Sequence, residues 1–213
     1  MQAGDERRQE RQRMVEDQLV SRGIRDPRLL AAFRRVPRHR FVPAQAQADA
    51  YGDHPVPIGC GQTVSQPYVV AYMVDRLELS GKERVLEVGT GSGYQTALLA
   101  EVAVEVYSVE CRPELIARTE PVLRGLGYSE VRLRLGDGTL GWPEAAPFDA
   151  IVVSAAAEQV PLALQQQLAP GGRLILPVGT VRQHLVLITR TLEGVLREEP
   201  LLQVRFVQLL QTR

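Results

Sequence analysis

The feature that most constrains this chain lies between Arg84 and Val102. There an apolar, strand-like run, Arg84 to Val88, passes directly into Gly89-Thr90-Gly91-Ser92-Gly93 and then into a helical stretch from Tyr94. Glycines at such a junction let the backbone approach a ligand where any Cβ would intrude, so a crevice is expected at the strand's carboxyl end. A strand of this kind needs a sheet covered by helices on both faces. The rest of the chain supplies one: strand patterns over 104–109, 131–135, 148–154 and 173–178 alternate with helical patterns over 113–125 and 161–168. That alternation predicts an α/β fold with a mostly parallel, seven-stranded, Rossmann-like sheet. Two further strands, 184–191 and 201–210, are joined by a turn near Glu193-Gly194 and should form an antiparallel edge.

The N-terminal third reads differently. Residues 7–33 show two short amphipathic helices separated at Gly23 and Pro27, and prolines 37, 43, 55, 57 and 67 with glycines 52, 59 and 61 predict a long loop rich in turns. A helix over 67–79 follows. At 213 residues the expectation is one domain, with a helical cap and substrate loop over 1–80 and a cofactor-binding core with its C-terminal hairpin over 81–213.

Lys plus Arg and Asp plus Glu both total 25, so charge does not draw the chain to nucleic acid or an anionic membrane. No secretory h-region and no apolar run of about 18 residues is present, which predicts a cytoplasmic protein. Cys60 and Cys111 have no metal-ligand spacing and are expected as free thiols, with no metal bound. A monomer is expected.

Three acids follow three successive strands. Glu87, two residues before the glycine loop, would repel a pyrophosphate but favour a positively charged ligand such as S-adenosyl-L-methionine. Glu110, about 20 residues after the loop, is placed to accept bonds from ribose hydroxyls. Asp137, in Gly136-Asp137-Gly138, could accept a bond from an adenine amino group. The expected cofactor site is therefore Glu87, Gly89, Thr90, Gly91, Ser92, Gly93, Glu110, Asp137 and Gly138.

The segments Ile58-Gly59-Cys60-Gly61-Gln62-Thr63-Val64-Ser65-Gln66-Pro67 and Leu86 to Thr96 together resemble the protein-L-isoaspartate O-methyltransferases, and the first is the specific one. Val36-Pro37-Arg38, Tyr51-Gly52-Asp53, Pro177-Val178-Gly179 and Val204-Arg205-Phe206-Val207 extend the resemblance over nearly the whole chain from Met14. It implies a class I methyltransferase fold, Ser65 as catalytic residue, and isoaspartyl proteins and peptides as substrates. It also implies substrate contacts from Gln62, Thr63, Pro177, Val178, Gly179 and Val207. Read without the family, Ser65 before Gln66-Pro67 is an ordinary helix N-cap. The chain departs from the family at Gln208, where a proline is usual, and at Ser154-Ala155-Ala156-Ala157. The glycine loop alone also fits a methyltransferase of the same fold acting on a small molecule or nucleic acid, or a noncatalytic S-adenosylmethionine-binding module.

Overall fold

The computed structural model describes residues 7–211. Its centre is a seven-stranded sheet built from β3 (Arg84–Val88), β4 (Glu105–Glu110), β5 (Arg132–Leu135), β6 (Phe148–Val153), β7 (Leu168–Val178), β8 (Gln183–Arg190) and β9 (Leu196–Val204), in the order β5-β4-β3-β6-β7-β8-β9. The first five strands in that order pair in parallel, through four pairings, while β7–β8 and β8–β9 pair antiparallel. The predicted sheet, with its antiparallel edge, is therefore present. From β3 the chain builds outward through β4 and β5, then crosses back to β6, so the order switches between β3 and β6. Ligands of open α/β sheets bind outside the carboxyl ends of the strands at such a switch.

Strand alternation sorts β3 between two cores. Val85 joins the cluster that includes the N-terminal cap, and Leu86 and Val88 join the cluster on the opposite face. The first face is covered by α4 (Tyr94–Val102), which packs on α2 (Pro27–Arg35). The cap is welded to that helix through Tyr94: its ring meets Phe33 edge-on at 6.1 Å and Phe41 at 5.7 Å, and the buried guanidinium of Arg38 lies 4.9 Å over it. The predicted break between the first helices is observed. α1 (Arg8–Met14) runs on through a π-helical and a 3-10 turn to Arg22, and α2 starts at Pro27 behind an Asp26 cap. Helices α3 (Pro67–Arg76), α5 (Pro113–Gly125) and α6 (Leu162–Gln166) fall within the predicted ranges.

Two expectations change. The loop predicted over 37–67 contains a small antiparallel sheet, β1 (Val56–Gly59) with β2 (Gln62–Val64). Its turn requires left-handed backbone at three successive residues, Gly59, Cys60 and Gly61. With strands of four and three residues, no period was long enough to read. The last strand spans 196–204 rather than 201–210, because pairing with β8, not apolar content, makes a strand of the charged run Arg197-Glu198-Glu199. Residues 205–210 consequently leave the sheet.

Candidate active site

A cavity of about 810 Å³ opens at the carboxyl ends of β3 and β4, beside the switch point. Its floor is Gly89, Thr90, Gly91 and Ser92, with Glu110, Cys111 and Arg112 from the end of β4 and Gly138 from the turn after β5. The opposite side is Gln62 to Gln66, and residues 203–210 form a third wall.

Positive φ angles at Gly89, Gly91 and Gly93 make the loop possible. Gly93 serves packing rather than the ligand, since a Cβ there would stand 2.6 Å from Thr119 Cγ2 on α5. Glu110 is buried on the cavity wall, and its carboxylate accepts the Gly91 N–H at 2.8 Å and the Arg112 N–H at 3.0 Å. It thereby ties the loop to the end of the neighbouring strand.

Glu87 corrects the expectation of direct ligand contact. Alternation turns it onto the same face as Val85, beneath α4, where it is fully buried. Its carboxylate accepts bonds from Thr96 Oγ1 (2.5 Å), Ser108 Oγ (2.6 Å) and Gln95 Nε2 (3.1 Å). Burial raises its pKa to about 7 against the opposing pull of those three donors. The cavity wall carries Gln95 and Ser154 instead, themselves joined at 2.8 Å. Asp137 also has a local task, because its Oδ1 accepts from Thr139 N and Oγ1 at 2.8 and 2.7 Å. It is Gly138 that lines the cavity, and a Cβ on it would stand 2.4 Å from Val88 Cγ1.

On the other side, Gln62, Thr63 and Ser65 all reach the cavity. The cap position of α3 falls on Gln66, not Ser65, and carries no side-chain cap bond. Ser65 is thus not the N-cap that local sequence alone predicts. Of the other expected substrate contacts, Val207 is on the wall, whereas Pro177, Val178 and Gly179 are not. Their backbone is taken up within the protein: the Pro177 carbonyl accepts the Ala157 N–H at 3.0 Å, and the Gly179 N–H donates to the Ala157 carbonyl at 2.8 Å. Their place is to hold the strand-end loop, because β7 and the 154–157 run extend side by side.

The wall of residues 205–209 is held from two directions. Gln183, buried at the start of β8, accepts the Phe206 N–H at 2.6 Å and donates to the Phe206 carbonyl at 3.1 Å. The Ala156 N–H donates to the Val207 carbonyl and its carbonyl accepts the Leu209 N–H, both at 2.7 Å. The N–H of Gln208 takes no part in that bridge, so a residue with or without one fits there. Gln95, Arg112 and Gln183 were not expected at the site, whereas Ser154 and Arg205 lie within segments already singled out, Ser154-Ala155-Ala156-Ala157 and Val204 to Val207. Gln95 carried a signal too, because it sits two residues past the glycine loop within the Leu86 to Thr96 motif, whereas Arg112 and Gln183 carried none.

Among the described residues no cluster of metal-ligating side chains is present, and no helix is long and apolar enough to cross a membrane. The sheet order, the glycine loop at the switch point and the acid ending the next strand define a Rossmann-like class I methyltransferase that takes S-adenosyl-L-methionine. A family model described as protein-L-isoaspartate(D-aspartate) O-methyltransferase matches residues 9–213. A protein-L-isoaspartate O-methyltransferase of Anaeromyxobacter dehalogenans strain 2CP-C is 60% identical over 190 residues, covering 88% of this chain and 91% of the relative. One from Anaeromyxobacter sp. strain Fw109-5 is 58% identical over 200 residues, covering 93% and 82%. A solved Plasmodium falciparum structure, described as a candidate protein of this type in complex with S-adenosyl-L-homocysteine, superposes with a TM-score of 0.84 at 26% identity, covering 95% of this chain and 99% of that one. This chain belongs to the protein-L-isoaspartate(D-aspartate) O-methyltransferase family.

Proposed function

We propose that this protein transfers a methyl group from S-adenosyl-L-methionine to the free carboxylate of L-isoaspartyl residues in damaged proteins and peptides, with Ser65 orienting the carboxylate. The observation that carries the reading is the meeting of two segments on one cavity: Gln62, Thr63 and Ser65 face Gly89 to Ser92 and Glu110 across it. The residues fit the cofactor. Glu110 offers a carboxylate for ribose hydroxyls, the bare glycine backbone admits the ligand closely, and Gly138 leaves room at the turn where a base would lie. When bound, the cofactor supplies an electrophilic methyl group on a sulfonium.

The nucleophile needs no activation, because a carboxyl of pKa near ~4 is already ionised at neutral pH. What the chain must supply is aim, an effect worth roughly 7–11 kcal/mol at best. The Ser65 hydroxyl donates to one carboxylate oxygen and so directs the other, and it adds no charge that would bind the anion and quench it. Among the charged residues on the wall, Arg112 and Arg205 are basic and Glu110 is acidic, a balance that suits an anionic substrate at the mouth. The methyl ester then cyclises to a succinimide as the next peptide nitrogen displaces methanol, and hydrolysis returns part of the chain to aspartate.

Labelled S-adenosyl-L-methionine offered with paired peptides, one carrying L-isoaspartate and the other aspartate, tests the proposal. Label confined to the isoaspartyl peptide is expected. Equal label in both, or in neither, overturns it.

A further inference from the structure

The chain contains no asparagine at all, although it has many glutamines, and Asp-Gly occurs in it once, at Asp137-Gly138. Asparagine and aspartate are the residues whose side chains can close a five-membered ring on the following peptide nitrogen. A following glycine speeds closure most, since it has no side chain to crowd that nitrogen. The other aspartates all precede residues bearing side chains or, at Asp26, a proline that has no N–H to lose. We propose that Asp137-Gly138 is this protein's own dominant isomerisation site, held in check by the fold, and that a chain damaged there is itself a substrate for intact copies. The second half rests on the function proposed above.

The chemistry is a dehydration and a hydration. The Gly138 nitrogen attacks Cγ of the protonated Asp137 carboxyl, the new C–N bond forms as a C–O bond breaks, and the carboxyl's hydroxyl leaves as water with the N–H proton. Water then adds to either ring carbonyl; opening at the α-carbonyl leaves the main chain running through Cβ, with a free α-carboxylate.

The fold opposes ring closure in two ways. Asp137 Oδ1 is engaged by Thr139 N and Oγ1 at 2.8 and 2.7 Å. At ψ 110° the Gly138 nitrogen is rotated away from the side of the Cα–C bond that carries Cβ, whereas closure needs the two together. Exchanging the glycine for a safer residue costs packing, since a Cβ would stand 2.4 Å from Val88 Cγ1, on a stiff β-branched side chain. Thus the one sequence that isomerises readily is retained where packing favours it. Its damage would strike the cofactor cavity: an extra main-chain carbon would break the turn whose Gly136 N–H bonds the Glu110 carbonyl at 2.9 Å and whose Gly138 lines the wall.

The test ages the full chain in heavy-oxygen water at neutral pH, native and in urea, and maps oxygen uptake and isoaspartate by mass spectrometry. Isoaspartate is expected at Asp137, accumulating about tenfold or more faster in urea, the factor being set by the free energy of opening the turn. Asp137→Glu, which would need a six-membered ring, should remove the signal. Isoaspartate spread over the other aspartates, or equal rates in the two states, overturns the assignment. The urea-aged chain is then diluted into fresh protein with labelled S-adenosyl-L-methionine, beside an isoaspartyl peptide. Label on the aged chain but not on aged Asp137→Glu supports self-repair; a labelled peptide with an unlabelled aged chain refutes it. An unlabelled peptide refutes the proposed function, while the mass result still decides the isomerisation site.

Discussion

Ser65 and Glu87 are both polar groups near the ends of short strands, yet the fold uses them in opposite ways. Ser65 faces the cavity, and Glu87 lies behind it under α4. Replacing Ser65 by Ala should lower kcat about 10- to 100-fold, the range for one hydrogen bond to a charged partner, while leaving the cofactor Kd within about twofold. Steady-state kinetics together with calorimetric titration of S-adenosyl-L-homocysteine measure both; a selective loss of cofactor affinity would show that the hydroxyl serves the other half of the cavity. For Glu87 the folded pKa, about 7, lies above its ordinary value of 4.5. The native state therefore holds a proton that the unfolded chain has released between those values, and stability falls as pH rises from 4.5 towards 7. The loss amounts to about 3 kcal/mol at most, at 1.36 kcal/mol per pH unit. Urea midpoints between pH 5 and 8 should show this decline in the wild type and a flatter profile in Glu87→Gln. Gly138→Ala is expected to cost about 1–3 kcal/mol through the forced contact with Val88, and part of that loss should return in the Val88→Ala background. Thermal unfolding of the four proteins in that cycle reads the coupling directly.

At the level of elements, the least anticipated piece is the stretch after β9. Its residues carry an apolar pattern that a strand would also show, but β9 ends at Val204 and the next residues turn to wall the cavity. Gln183 holds them there by gripping both backbone groups of Phe206. Gln183→Ala should raise the peptide KM about three- to tenfold, in line with one or two lost hydrogen bonds, with the cofactor Kd unchanged. Equal weakening of peptide and cofactor would mean that Gln183 supports the sheet as a whole. The same scale explains the correction at Pro177-Val178-Gly179. A segment rich in Pro and Gly next to a strand end reads as an open loop, whereas here it continues β7 and is stitched to Ala157.

For the whole molecule, we propose that cap and core form one cooperative unit, although the sequence divides them near residue 80. Tyr94 opens the first core helix and is enclosed by Phe33, Phe41 and Arg38 from the cap. A fragment of residues 81–213 should fail to fold, because the face of α4 that meets the cap would be left in water. A dispersed amide spectrum from that fragment would contradict it. What the sequence determined alone is whatever depends on near neighbours. Periodicity placed nearly every helix and sheet strand, and glycine spacing placed the loop. A ten-residue motif pointed to Ser65. Tertiary structure decided which polar groups share the cavity, because that depends on which face of the sheet a residue occupies and on which distant segment returns to it. Glu87 and Asp137 have the spacing of ligand residues, but packing against α4 and the local turn takes up their carboxylates. Ser154 and the 203–210 wall reach the glycine loop only through the long crossings of the chain, whereas Gln95, two residues past that loop, lines the cavity from the first turn of α4.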